Sequence, residues 1–313
     1  PFDLGVLQQQ AASGQLTRMI ASLNDRLTVR VIEIVLPEFD VAGIALCWLG
    51  MGSEGREEQT IATDQDNALI FHAADAAQHA ALLAFAQRVN ARLDACGFPL
   101  CKGGIMAGNP EWCLSLEEWR GKFARWIQTP EPKALLNASI FFDFRPLYGD
   151  EELSHALRDW LLGAAEKAKL FLRLMTENAL QCQPPLGMFR DFVYDNNKDF
   201  PHTIDLKMHG SRPFVDAARI FSLAHNVTVT STAQRLRGAA AATNLGADVE
   251  AIIDGFYFIQ MLRLRHQRDL KGDEAGANRI DPDKLNELDR HILKEAFKQA
   301  RKLQDKIRLD YRL

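Results

Sequence analysis

Residues 44–71 place a short apolar run, Ile44–Leu49, and a second short run, Asp66–Phe71, on either side of a turn rich in glycine and acid. The runs are too short for helices and read as buried strands. Gly50, Gly52 and Gly55 crowd the chain directly after the first strand. Glycines there let peptide N–H groups face an anion, Ser53 adds a hydroxyl, and Arg56 adds a guanidinium suited to phosphate oxygens. A short helix starting near Gly55 would turn its positive end the same way. Taken alone, these glycines describe a plain surface turn equally well.

Asp64 and Asp66 follow. Strand side chains alternate, so both carboxylates fall on one face while Gln65 and Asn67 fall on the other. Two adjacent carboxylates repel unless water screens them or a cation sits between them. Magnesium, or manganese in its place, takes oxygen ligands of this kind and shares its other positions with phosphates. A third carboxylate, Asp143, stands among Ile140, Phe141, Phe142 and Phe144, in a stretch (135–147) that reads as a strand. An aspartate in that setting needs a partner. The candidates are an ion pair with Arg145 or Arg56, or a cation shared with Asp64 and Asp66. The presence of those two aspartates favours the cation.

Along the rest of the chain, residues 6–37 have helical spacing, residues 75–95 form an amphipathic helix, and residues 115–127 open on a Ser115/Glu118 capping box. Residues 150–182 read as one long helix ended by Pro184–Pro185. Helices follow at 213–226, 231–243 and 248–269, then a polar loop at 271–281 and a last helix after Asp281–Pro282. The expected architecture is α+β. A leading helical segment (1–40) precedes a mixed sheet with helices (41–149), and a helical bundle (150–313) follows.

Composition narrows the function. With 313 residues the chain has room for about two domains, and its net charge is −4. No stripe of Lys/Arg with interleaved aromatics appears, which argues against nucleic acid as a partner. No apolar run is long enough to span a membrane. Five cysteines without a C-x-x-C pair point to a reducing cytoplasm and structural thiols, with zinc at Cys96, Cys101 and Cys113 disfavoured. Residues 1–150 carry a net −6 and residues 151–313 a net +2. That split suits a metal-binding half beside a half that meets an anion.

Gly52-Ser53, a spacer, Asp64-x-Asp66 and a later Asp143 resemble the DNA-polymerase-β-type nucleotidyltransferase superfamily. Within it, Gly52, Gly55, Arg56, Glu58, Asp64 and Asp66 are similar to the motif of the bacterial PII uridylyltransferases. Ser53 replaces that motif's second glycine and Thr63 its serine. Asp143-x-Arg145-x-Leu147-x-Gly149-Asp150 matches a further motif of the same family. Over nearly its whole length the chain looks most like a nucleotidyltransferase family often found behind cyclic-nucleotide-binding and CBS domains. The stretches 52–70, 204–220, 263–267 and 293–304 carry that likeness, as does Asn24-Asp25. Such upstream domains are absent here, and the start at Pro1 reads as a piece of a longer regulatory protein.

The resemblance implies transfer of a nucleoside monophosphate from a triphosphate such as ATP or UTP to a hydroxyl of a protein or small molecule, in signalling. It implies Gly52, Ser53, Gly55 and Arg56 at the phosphates, and Asp64, Asp66 and Asp143 as catalytic metal ligands. Lys207 and Arg219 are the cations expected near the triphosphate or base. No histidine is followed by aspartate, so a phosphohydrolase signature is absent. The competing expectation is a nucleotide-sensing module that binds without turnover.

Overall fold

The computed structural model describes residues 4–187, 191–195, 197–270 and 276–313, with side chains from Gly14 onward. The chain divides into two compact units. One comprises Arg18–Gln59 and Thr63–Phe171, the other Pro1–Thr17, Thr60–Ala62 and Leu172–Leu313.

The first unit is built on a four-stranded sheet in the order β3-β2-β1-β4. Helix α1 (Leu4–Val35) leads into β1 (Leu46–Gly50), the single turn α2 (Gly52–Gly55) and β2 (Asn67–Phe71). Helix α3 (Ala76–Ala95), β3 (Cys113–Ser115), α4 (Leu116–Gln128), α5 (Pro132–Phe141), β4 (Arg145–Gly149) and α6 (Glu151–Lys167) follow. β1 runs antiparallel to both β2 and β4, and β3 is parallel to β2. Every residue of β1 and β2 is buried, as continuous apolar runs between two helical layers should be.

Strand alternation divides the core. Leu46 and Trp48 of β1, with Leu69 and Phe71 of β2, pack with Val31, Ile32 and Val35 of α1 and with Leu82, Phe85, Ala86 and Val89 of α3. The opposite face meets α4 and α6. There an aromatic cluster forms: Trp112 lies 4.1 Å from Phe141 between ring centroids, and Phe123 lies 4.9 Å from Phe142. Trp119 is fully buried, and its indole N–H donates to the Leu69 carbonyl at 3.1 Å, which ties α4 to the sheet. The capping box at Ser115 and Glu118 forms as the sequence predicts.

The structure corrects two elements. Residues 135–147 are not a strand. Helix α5 runs to Phe141 behind Pro132, and β4 starts only at Arg145, so Asp143 sits in the turn between them. Leu135, Ala138 and Phe141 are buried at helical spacing, and an apolar run of this length does not by itself separate the two periodicities. Residues 150–182 also split, into α6 and α7 (Lys169–Ala179), at Ala168.

The second unit is mostly helical. Helix α8 (Arg212–Ala224) packs with α9 (Thr232–Ala239) and α11 (Glu287–Tyr311), and α10 (Val249–Asp269) packs with α11. Gly255 permits the α10–α11 approach, since a Cβ there would lie 3.2 Å from Ala296 Cα. Between Pro184–Pro185 and α8 lies a six-residue π-helical turn, Leu206–Ser211. A two-residue ladder, β5 (Ile204–Asp205) with β6 (Arg279–Ile280), ties the neighbouring loops together. Residues 271–275 of the expected polar loop lie outside the described residues. Among the described residues no helix is long and apolar enough to cross a membrane.

Candidate active site

β1 ends at Gly50, and both of its neighbours begin beside it. Gly50 pairs with Asn67, the first residue of β2, and with Arg145, the first residue of β4. The segment leaving β1 and the segments entering β2 and β4 therefore meet at one end of the sheet. They carry Gly52–Arg56, Asp64 with Asp66, and Asp143.

The glycines fix this meeting. Gly52 has φ +54°, and a Cβ on it would lie 3.3 Å from Asp66 Oδ2. Gly55 has Asp143 against its other side, where a Cβ would fall 1.9 Å from the Asp143 carbonyl oxygen. The turn therefore threads between the two aspartate-bearing segments, with a left-handed backbone that favours glycine at Gly52 and no room for a side chain at Gly55. The helix expected to start near Gly55 is instead one turn that ends there. Met51 N–H donates to the Asp66 carbonyl at 2.8 Å, which holds the β1 exit to the β2 entry.

Alternation along 64–67 holds although β2 starts only at Asn67. Gln65 and Asn67 point inward and are buried. Asn90 of α3 joins them, donating to Gln65 Oε1 at 2.8 Å and to Asn67 Oδ1 at 3.0 Å. Gln65 donates in turn to the carbonyls of Asn90 and Phe98. The backbone N–H of Ala107 donates to Asn67, and that of Gly108 to Asn90. This satisfied network locks the strand entry to α3 and to the 98–108 loop. Replacing Asn90 by alanine removes the partners of Gln65 Oε1 and of the Gly108 N–H. A loss of about 2 kcal/mol is expected in denaturant unfolding.

With Gln65 and Asn67 committed inward, Asp64 and Asp66 turn the other way. Their carboxylate oxygens and the Cys101 sulfur lie within 4.8 Å of one another. Two carboxylates this close repel each other, and they are the hard oxygen donors that magnesium or manganese takes. The site thus fits a divalent cation. Asp143 is not in that group. It is fully buried, and its Oδ2 accepts from Arg56 Nη1 at 2.6 Å. Arg56 Nε also donates to Glu58, at 2.8 Å. Of the partners considered for Asp143 from sequence, the structure places Arg56 there. Arg145 turns elsewhere, binding both oxygens of Asp25 on α1 at 2.7 and 2.9 Å and the Glu54 carbonyl at 3.0 Å.

The turn that holds Asp143 has its own clamp. Arg158 of α6 donates Nη1 to the Phe142 carbonyl at 2.8 Å and Nη2 to the Phe144 carbonyl, with its guanidinium 3.9 Å from the Phe144 ring centroid. Sequence reasoning missed Arg158 and Asn90, and it named Cys101 only within a disfavoured zinc set. Asn90 had a readable signal, a polar residue between Val89 and Leu93 on an otherwise apolar helix face.

Glu54 is buried in the turn α2, and its carboxyl is pushed up to about 8. Burial is the main cause, the Asp25 charge adds to it, and Arg145 opposes it. The folded state therefore binds more protons than the unfolded state between about 4.5 and 8, and stability falls as pH rises through that window. Glu54→Gln removes the titrating group. It is expected to flatten the pH dependence of the melting temperature over that window and to raise stability at its upper end.

The cysteines do not share one environment. Cys47 and Cys113 are buried, with thiols pushed up to about 12 by burial, whereas Cys96 is exposed. Cys101 is partly buried, its thiol is pushed up to about 11 by burial with Asp66 and Asp64 adding to it, and the Ile105 and Gly103 peptides oppose this. The expectation of structural thiols at all three of Cys96, Cys101 and Cys113 is met only by Cys113.

Lys207 and Arg219 belong to the second unit. Lys207 is exposed in the π-helical turn, where its N–H caps onto Asp205. Arg219 is buried in α8, with Nη1 on Asp216 at 2.7 Å. His266 bonds the Gly276 carbonyl, a structural role.

No curated protein matches the chain significantly. Two family descriptions do match it. Residues 4–133 match "Putative nucleotidyltransferase DUF294", and residues 169–311 match "Putative nucleotidyltransferase substrate binding domain". The first match spans the leading helix, the glycine turn, Asp64, Asp66 and Cys101, and ends before Asp143. The second spans the π-helical turn and α8 to α11. With these two matches side by side over most of its length, the chain belongs to this nucleotidyltransferase family.

Proposed function

We propose that the protein transfers a nucleoside monophosphate from a nucleoside triphosphate to a hydroxyl of a protein or small-molecule acceptor, with magnesium bound at Asp64 and Asp66. The observation that supports this most is the pair of carboxylates held at the β1 exit by the inward network of Gln65, Asn67 and Asn90, in a chain of this family. A divalent cation there supplies positive charge to the transferring phosphate and makes the acceptor hydroxyl more acidic. The hydroxyl oxygen bonds to the α-phosphorus, the bond to the bridging oxygen breaks, and pyrophosphate leaves.

The chain's residues position these partners. Gly52, Ser53 and Gly55 present backbone and hydroxyl groups to the phosphates. Arg56 binds them by exchanging the Asp143 carboxylate for a phosphate oxygen, and Asp143 would then serve as a further magnesium ligand and as proton acceptor. Lys207 is the proposed nucleotide contact of the substrate-binding half. Arg219 would share its bond to Asp216 with a ligand. In this reading the chemistry belongs to residues 41–149, the leading segment braces it through Asp25, and the helical half selects the substrate. The likeness to PII uridylyltransferases favours a protein hydroxyl as acceptor. The likeness to chains with CBS or cyclic-nucleotide-binding domains favours control by such domains.

One observation favours a second reading, a nucleotide sensor without turnover: Asp143 is engaged by Arg56 instead of standing with Asp64 and Asp66. Titrating ATP, UTP, GTP and CTP with magnesium by calorimetry, then assaying pyrophosphate, separates the two. The enzyme reading expects binding of one nucleotide with pyrophosphate release in the presence of acceptor. Binding with no pyrophosphate in any cell extract supports the sensor.

A further inference from the structure

The Cys101 sulfur and oxygens of Asp64 and Asp66 lie within 4.8 Å of one another, on the outward side of a strand entry whose inward side is locked. Its position is held. The turn 101–104 closes with Gly104 N–H on the Cys101 carbonyl at 2.9 Å. The Gly104 carbonyl is pinned by Asn109 Nδ2 at 2.9 Å and by the Trp112 indole at 3.1 Å. The Gly103 backbone lies against the sulfur, where a Cβ would sit 3.6 Å from it.

We propose that Cys101 is a third ligand of the Asp64/Asp66 site, making it one oxygen–oxygen–sulfur centre that also takes a thiophilic divalent cation of the zinc, cobalt or cadmium class. Two carboxylates suit a hard cation, while a thiolate is the donor that zinc and cobalt take and magnesium does not. On binding, the thiol gives its proton to the buffer and the sulfur bonds the metal. No oxidant or further reactant is needed. The thiophilic cation occupies the carboxylates that magnesium needs, so the two compete. The proposal rests on the reading of Asp64 and Asp66 as metal ligands.

The test titrates the full chain with Co²⁺ and follows the near-ultraviolet thiolate-to-cobalt charge-transfer band. Mn²⁺ binding, followed by electron paramagnetic resonance, checks the oxygen site separately. The wild type is expected to show the band, and excess magnesium to diminish it. Cys101→Ser is expected to abolish the band and weaken Co²⁺ binding by more than about tenfold, with Mn²⁺ binding within about twofold of wild type. Asp64→Asn/Asp66→Asn is expected to weaken both metals. Mn²⁺ binding without a cobalt band, or a band that survives in Cys101→Ser, overturns the thiolate ligand and leaves the carboxylate site standing. Failure of both metals to bind the folded wild type overturns both readings.

Discussion

Asp66→Asn is expected to lower nucleotidyl transfer about a thousandfold while leaving the protein as stable as the wild type or more so. The activity loss follows from the role of the site. Removing one of two carboxylates from a catalytic cation costs several kcal/mol of transition-state stabilisation, and about 4 kcal/mol corresponds to three powers of ten. The stability result follows from electrostatics. Asp66 lies in the Asp64 group and its charge also raises the buried Glu54 carboxyl, so toward these two acids its charge is repulsive. Neutralising it relieves that repulsion with little change in volume. Turnover at saturating magnesium and the thermal midpoint without metal, measured on the same preparation, check both parts. A drop of several degrees with activity retained would mean that Asp66 serves the fold.

The second large effect is expected at Gly55. An alanine Cβ would fall 1.9 Å from the Asp143 carbonyl oxygen, a backbone atom in a turn that Arg158 holds through the carbonyls on both sides. Neither segment can yield by a side-chain rotation. The turn α2 and the β4 entry must separate, which stretches the Arg56–Asp143 contact and moves the phosphate turn away from the carboxylates. Overpacking of this kind costs about 3 kcal/mol, roughly 6–12 °C in a unit of this size. Activity should fall at least about a hundredfold, because a displacement near 1 Å at a catalytic group has that effect. Gly163→Ala in α6 is the control. No atom approaches a Cβ there, so that variant should melt at or slightly above the wild-type temperature.

Much of this arrangement was legible in the residues. The runs around Cys47 and Leu69 became β1 and β2 because each is apolar on both faces and bounded by glycine or acid. The capping residues at Ser115 and the break at Pro184 act as local chemistry predicts. The pairing of Asp64 with Asp66 followed from period-two alternation alone. Asp143 was singled out as an expensive acid among aromatics, and the structure buries it against Arg56 rather than beside Asp64 and Asp66. Its backbone setting was not legible, because Leu135, Ala138 and Phe141 satisfy helical spacing as well as strand burial. Contacts between distant segments were not legible. Nothing in the spacing of Asp25 and Arg145, or of Cys101 and Asp64, shows that sheet topology brings them together. The network around Asn90 was half visible, since Gln65 and Asn67 were placed inward without a partner.

The central claim is that Asp64 and Asp66 hold the cation for nucleotidyl transfer. It is tested most directly by incubating the protein with α-phosphate-labelled nucleoside triphosphates, magnesium and a cell extract, with Asp64→Asn/Asp66→Asn in parallel. The account predicts that one nucleotide delivers label to a discrete acceptor with equimolar pyrophosphate, that chelation of magnesium abolishes this, and that the double variant does neither while remaining folded. Label transfer at the wild-type rate by the double variant would contradict it.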